Sequence, residues 1–98
     1  GRTPLSQAAS KGHESIVKML LYTGKVDVDS KDKYSRTPLS YAVSIGCDSV
    51  VELLLDTGKV EIDSRDNYGR TPLSQAISRG YTSIVWLLLE QQKAKINS

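Results

Sequence analysis

Arg36-Thr37-Pro38-Leu39-Ser40 decides the reading of this chain, because the same five residues stand at 2–6 and again at 70–74. The spacing is 34 residues both times. Residues 3–36 laid over 37–70 give 20 identities in 34 positions, and 37–64 over 71–98 give 15 in 28. Agreement at a fixed period marks a tandem array, in which each unit is one supersecondary element and the same assignment applies three times.

Within the unit, Thr37 is a residue type that caps a helix N-terminus, and Pro38 follows at the first helical position, where its missing N–H removes no intrahelical bond. A helix of about seven residues is predicted to follow, stopped at Gly46, with Gly12 and Gly80 its counterparts. A second helix runs through Ser49-Val50-Val51-Glu52-Leu53-Leu54-Leu55, whose apolar residues recur at i, i+1, i+4 and i+5 as on a helical stripe. Gly24 and Gly58 end it in the first two copies. Residues 25–34 and 59–68 then alternate, as in Val26-Asp27-Val28-Asp29, and reach polar turns at Lys31-Asp32-Lys33 and Arg65-Asp66-Asn67. These read as extended arms with a turn at the tip.

At these residues the sequence resembles the ankyrin repeat, whose pattern is Thr-Pro-Leu-His-x-Ala, Gly-His, then Ile-Val-x-Leu-Leu-Leu-x-x-Gly. Here it appears as Thr3-Pro4-Leu5-Ser6-Gln7-Ala8, Gly12-His13 and Ile16-Val17-Lys18-Met19-Leu20-Leu21-Tyr22-Thr23-Gly24, and it extends over the whole chain. The resemblance implies an all-α repeat fold: a solenoid of helix-turn-helix pairs with projecting β-hairpin or loop arms, stacked into one continuous core. Three departures stand out. The family's His after Leu is Ser6, Ser40 or Ser74, which predicts looser ordering of the hairpins. The unit has 34 residues rather than the usual 33, and the extra one lengthens the arm. The third copy carries Glu90-Gln91-Gln92 where a Gly stop is due, so its C-cap is altered and the order of residues 91–98 is not secured. The long-armed unit also looks like the repeats at the tails of fungal NACHT-type receptor-like proteins.

Length and composition fit this reading. The 98 residues, 39% apolar and 24% charged with a net charge of +2, are enough for a single domain. Its repeats span about 1–35, 36–69 and 70–98. The longest apolar run, residues 84–89, is far below the roughly 20 residues that cross a bilayer. Because the first copy starts in mid-hairpin with faces as apolar as those of the second, the chain reads as a piece of a longer array. Cys47 is the only cysteine, so no internal disulfide forms and a reducing, intracellular and cytoplasmic setting is expected.

Positions alike in every copy read as framework, and positions that differ are free to recognise a ligand. In the family, ligand contacts concentrate on the hairpin tips and on the first helix where it faces the concave groove. The resemblance therefore implies a partner-binding set of Lys33, Tyr34, Arg36, Asn67, Tyr68 and Arg70 at the tips, with Lys11, Tyr41, Ile45 and Arg79 on the first helices. The recurrence of Arg2, Arg36 and Arg70 also suits a framework role. Tyr and Arg carry much of the binding energy at interfaces, and an exposed Ile45 between Lys11 and Arg79 makes an anchor for a protein or peptide, acidic to match the basic side chains. Trp86 stands where the other copies have Lys18 and Glu52, so it faces outward, where it covers a next repeat of a longer array, joins a dimer interface or lies across the terminal helix; the alternative function it marks is a structural spacer or self-association element using the uncapped ends.

Chemistry is not expected. His13 is the sole histidine and occupies the Gly-His position, where a structural hydrogen bond is the default, and nothing places a triad or metal set around it. Asp27, Asp29 and Asp32 lack the mid-loop Gly and closing Glu of a calcium loop, as do Glu61, Asp63 and Asp66, and all six read as solvated arm residues. The glycines recur as caps, not as a phosphate loop, so no cofactor is implied. A net charge of +2 with Asp at every tip is a poor surface for nucleic acid.

Overall fold

The computed structural model describes the backbone of residues 3–97 and the side chains of residues 3–94; Arg2 lies outside the described residues. Six helices follow one another: α1 (Pro4–Ser10), α2 (Glu14–Thr23), α3 (Pro38–Ile45), α4 (Asp48–Asp56), α5 (Pro72–Arg79) and α6 (Thr82–Asn97). They form two layers. The first helices stack in the order α1, α3, α5, while α4 lies between α2 and α6 in the second layer.

Each first helix begins as its cap residues dictate. Thr3, Thr37 and Thr71 are extended at the N-cap, and each hydroxyl accepts the backbone N–H of the serine three residues on. In α3 and α5 the serine completes a reciprocal box, because Ser40 Oγ and Ser74 Oγ each accept the threonine N–H at 2.9 Å. The serines that stand in the family's His position are therefore engaged inside their own cap. Arms are tied to one another by other groups. Asp29 Oδ2 accepts the Glu61 N–H at 2.9 Å, the Tyr34 carbonyl accepts the Asn67 N–H at 2.9 Å, and the Asn67 amide donates to the Lys33 carbonyl at 3.2 Å.

First and second helices share the core, and its widest buried stripe lies on α4. Val50, Val51 and Leu54 of α4 are fully buried and Leu55 is nearly so, as expected of a helix with a neighbour on either side. At about 1.5–3 kcal/mol for each fully buried aliphatic side chain, this four-residue stripe contributes about 6–12 kcal/mol of gross burial, comparable with the whole net stability of a small domain. The equivalent stripe in the outer copies is half covered: Ile16 of α2 is 45% exposed and Leu89 of α6 is 42% exposed. The seams between copies are tight at the turn after the first helix. Gly46 has φ +72°, and a Cβ there would lie 2.9 Å from the Tyr81 ring, so the position needs glycine both for its backbone and for its neighbour.

The extended reading of the arms changes, while the altered end of the third copy is found. Among the described residues there is no strand, and the Val-Asp-Val-Asp alternation does not run as a ladder. Ser30 N–H instead bonds the Asp27 carbonyl, and Asp27 Oδ1 accepts the Asp29 N–H, so the arm folds into a turn while Val26 and Val28 pack against the core. Period-two burial here comes from two valines turned onto the core, and the arms are loops. In the third copy, helix α6 continues to Asn97, because Glu90-Gln91-Gln92 offers good helix formers in place of the glycine that ends α2 at φ +68°.

Candidate functional site

Each arm tip is organised by one aspartate, and those two aspartates are not solvated. The Asp32 and Asp66 side chains are 4% and 2% exposed, which corrects their reading as solvated arm residues; the reason is that each is wrapped by donors from its own loop. Asp32 Oδ1 accepts the N–H groups of Tyr34 and Arg36, both at 2.9 Å, and Oδ2 accepts Arg36 Nε at 3.2 Å and the Tyr41 hydroxyl. Asp66 repeats the pattern with Tyr68 N–H at 2.9 Å, Arg70 N–H at 3.0 Å and Arg70 Nε at 2.9 Å. Burial acts to raise both carboxyl pKa values. The donors outweigh it: Tyr41, the Arg36 and Tyr34 amides and the Arg36 charge hold Asp32 down at about 2, and Arg70 with the Tyr68 amide holds Asp66 below its ordinary value.

The same knot places the side chains above it. Ser35 and Gly69 close the two loops with positive φ, +61° and +75°. The Arg36 guanidinium sits 4.7 Å from the Tyr34 ring centroid and 5.1 Å from that of Tyr41, stacking the tip onto α3. Lys33 Nζ also approaches the Tyr34 ring, at 5.1 Å from its centroid. In the second tip Arg70 lies 5.1 Å from the ring of Tyr68, which is 75% exposed, whereas Tyr34, beside the next arm, is 38% exposed.

Of the sequence-predicted residues, Tyr34, Arg36 and Tyr41 are thus in one cluster with Lys33, and Tyr68 with Arg70 in a second. Asn67 joins the two tips through the bonds given above, so its amide is already engaged. Lys11, Ile45 and Arg79 are exposed near the ends of α1, α3 and α5. Ile45 leans toward the preceding copy, with its Cδ1 3.4 Å from where a Cβ on Gly12 would stand. Trp86 is exposed on α6, as are Lys18 and Glu52 at the equivalent places on α2 and α4.

What the sequence reading missed is the pairing of Asp32 with Arg36 and of Asp66 with Arg70. The signal was present: an aspartate stands four residues before each of two arginines at the same place in the repeat. His13 lines a pocket of about 230 Å³ with Pro4, Gln7, Ala8, Lys11 and Ile16, next to no carboxylate within it. Among the described residues no group of three His, Cys, Asp or Glu gathers to hold a metal ion, and no helix is long and apolar enough to cross a membrane. Cys47 is unpaired.

Comparison with known proteins agrees with the geometry. A family model described as ankyrin repeats, in three copies, matches residues 5–98. The crystal structure of the human ASB11 ankyrin repeat domain is similar at a TM-score of 0.84 and 30% sequence identity, over 92% of this chain. This chain spans 40% of that one. No curated protein matches the sequence.

Proposed function

Since the chain belongs to the ankyrin-repeat family, whose members are generally non-catalytic protein–protein interaction modules, we propose that it binds a protein or peptide through its arm tips and first helices, without chemistry of its own. The observation that carries this reading is the division between what recurs and what varies. The recurring Thr, Pro, Ser and Asp residues are engaged in caps and tip knots, while the varying Lys11, Ile45 and Arg79 are exposed beside them. Tyr34, Tyr68 and Ile45 supply apolar contact area, and Lys11, Lys33, Arg36, Arg70 and Arg79 bias the choice toward an acidic partner. Arg36, Arg70, Tyr41 and Asn67 act mainly by holding the tips, so the surface is preformed and binding requires little ordering. An intracellular, cytoplasmic setting suits a chain with one unpaired cysteine.

The test is affinity capture with the native chain against the triple variant Tyr34→Ala, Ile45→Glu, Tyr68→Ala, both checked for helical content by circular dichroism. A protein retained by the first and lost by the second supports the reading. Identical captures sink it.

A second reading, copy stacking on copy, is favoured by the half-covered stripes. Ile16 and Leu89 are 45% and 42% exposed where the middle copy's Val50 and Leu55 are buried, so the two outer faces resemble the two sides of an interior seam. Sedimentation of the chain and of Trp86→Glu and Leu89→Glu decides it. A monomer at all concentrations removes this alternative.

A further inference from the structure

The second and third copies differ at two places on the same helix face, and in the third a pocket lies along that face. In the second copy the Tyr41 ring lies by the Arg36 guanidinium and its hydroxyl bonds Asp32, so the ring occupies the space between tip and α3. The equivalent residue in the third copy is Gln75, a smaller side chain. There an open pocket of about 310 Å³ lies along α5, lined by Arg70, Ser74, Gln75, Ser78 and Arg79. Arg79 itself stands where the second copy has Ile45. No carboxylate is among the lining residues. Asp66 holds Arg70 in place, whereas Arg79 has no ion-pair partner among the described residues. Gln75 is 6% exposed, and its Oε1 is buried without a donor.

We infer that this pocket takes the carboxylate side chain of an acidic peptide segment, between the guanidinium groups of Arg79 and Arg70. The inference rests on the proposed recognition of a protein or peptide and deepens it. Two guanidinium groups present planar N–H donors that match a carboxylate, and because Arg70 is shared with Asp66, Arg79 supplies the uncompensated charge. The Ser78 hydroxyl adds a donor at the rim. The orphaned Gln75 carbonyl needs the opposite, an N–H, and rotation of its amide offers it to the main chain of the same segment. A phosphate can use the arginines but has no N–H for Gln75, so a peptide carboxylate satisfies the lining more fully.

The test is a ¹⁵N heteronuclear titration of the whole chain with acetyl-tetraglutamate amide, run beside acetyl-tetraglutamine amide and inorganic phosphate. Two variants, Gln75→Tyr and Arg79→Ile, each place the second copy's residue in the third, so both carry side chains the repeat already accommodates. The expected result is saturable shifts at Ser74, Gln75, Ser78 and Arg79 with tetraglutamate, at least tenfold weaker binding of tetraglutamine, and at least tenfold loss in either variant. Should Gln75→Tyr fail to give a folded spectrum, Arg79→Ile decides alone. Shifts spread evenly over the lysines of the arms, or binding untouched by a folded variant, overturn the pocket. So does phosphate saturating the same amides at lower concentration than tetraglutamate. The wider reading is judged separately by capture: a partner lost on Tyr34→Ala, Ile45→Glu, Tyr68→Ala yet indifferent to Arg79→Ile removes the pocket only. Tetraglutamate binding without any tip-dependent partner leaves the pocket and removes the wider reading.

Discussion

The arm tip at residues 32–36 and the one at 66–70 are built on the same knot and are held to different extents. Asp32 gathers four donors, one of them the Tyr41 hydroxyl from α3, and Asp66 gathers three from its own loop. The first tip is also covered by the next arm through Asn67, and it pins Arg36 between two tyrosine rings. The second tip leaves Tyr68 and Arg70 facing solvent. A repeat can thus keep one backbone frame while a single substitution, Tyr41 against Gln75, decides whether the frame is fastened to the helix or stands open beside a pocket.

The largest effect that probes this difference is removal of the aspartates. Asp32→Ala leaves the Tyr34 and Arg36 amides and a tyrosine hydroxyl without their acceptor and is expected to destabilise the chain by about 3 kcal/mol, with Asp66→Ala costing about 2 kcal/mol. Denaturant melts of both measure it, and equal losses mean that the Tyr41 bond adds nothing. Next in size is Tyr41→Phe, which keeps the ring and removes one bond to a charged acceptor; about 1.5 kcal/mol is expected from chemical denaturation. An unchanged midpoint places the contribution of Tyr41 in its ring alone.

Acid tests the same contrast by protonation rather than mutation. A carboxylate whose pKa is lower in the folded chain than in the unfolded one stabilises fully above the unfolded value, 3.8, and that stability is lost as pH falls through the folded value. For Asp32 the window runs from 3.8 down to about 2, and Asp66 acts in the same direction. Asp29 opposes them, because burial raises its pKa and protonation relieves it. Net stability is expected to fall between pH 4 and 2, and the fall to be shallower in Asp32→Asn. A steeper fall in that variant contradicts the assignment.

Much of this was legible because the features that decide the fold are short and repeated. Thr-Pro before an apolar stripe, with a glycine at either stop, specifies two capped helices without reference to anything distant. The tips were legible in position but not in chemistry. Asp32 lies in a polar run, and hydropathy assigns it to solvent; only the folded loop turns two amides and a guanidinium onto it. The valines at 26 and 28 misled in the opposite sense, since alternation implies a strand when a neighbouring strand exists to pair with, and here the two valines pack onto the core from a turn. Around the pocket, Arg70 and Arg79 were legible as candidate contact residues, with Gln75 beside them, but the cavity itself was not. It depends on how tip and helix come together in space, which the residue types alone do not state.

The smallest expected effect separates the two tips by backbone alone. Ser35 closes the first loop at φ +61° and Gly69 closes the second at +75°, so the same left-handed turn is made once by a residue with a Cβ and once without. The left-handed conformation costs a non-glycine residue roughly 1–2 kcal/mol, and against it stands the roughly 0.5–1 kcal/mol of unfolded-state entropy that a glycine adds. Ser35→Gly should therefore stabilise the chain slightly, by about 0.5 kcal/mol, and Gly69→Ser should destabilise it by a similar amount. Paired thermal melts read both. If the two exchanges shift stability in the same direction, the tips do not share one frame, and the difference between them extends beyond Tyr41 and Gln75 into the loops themselves.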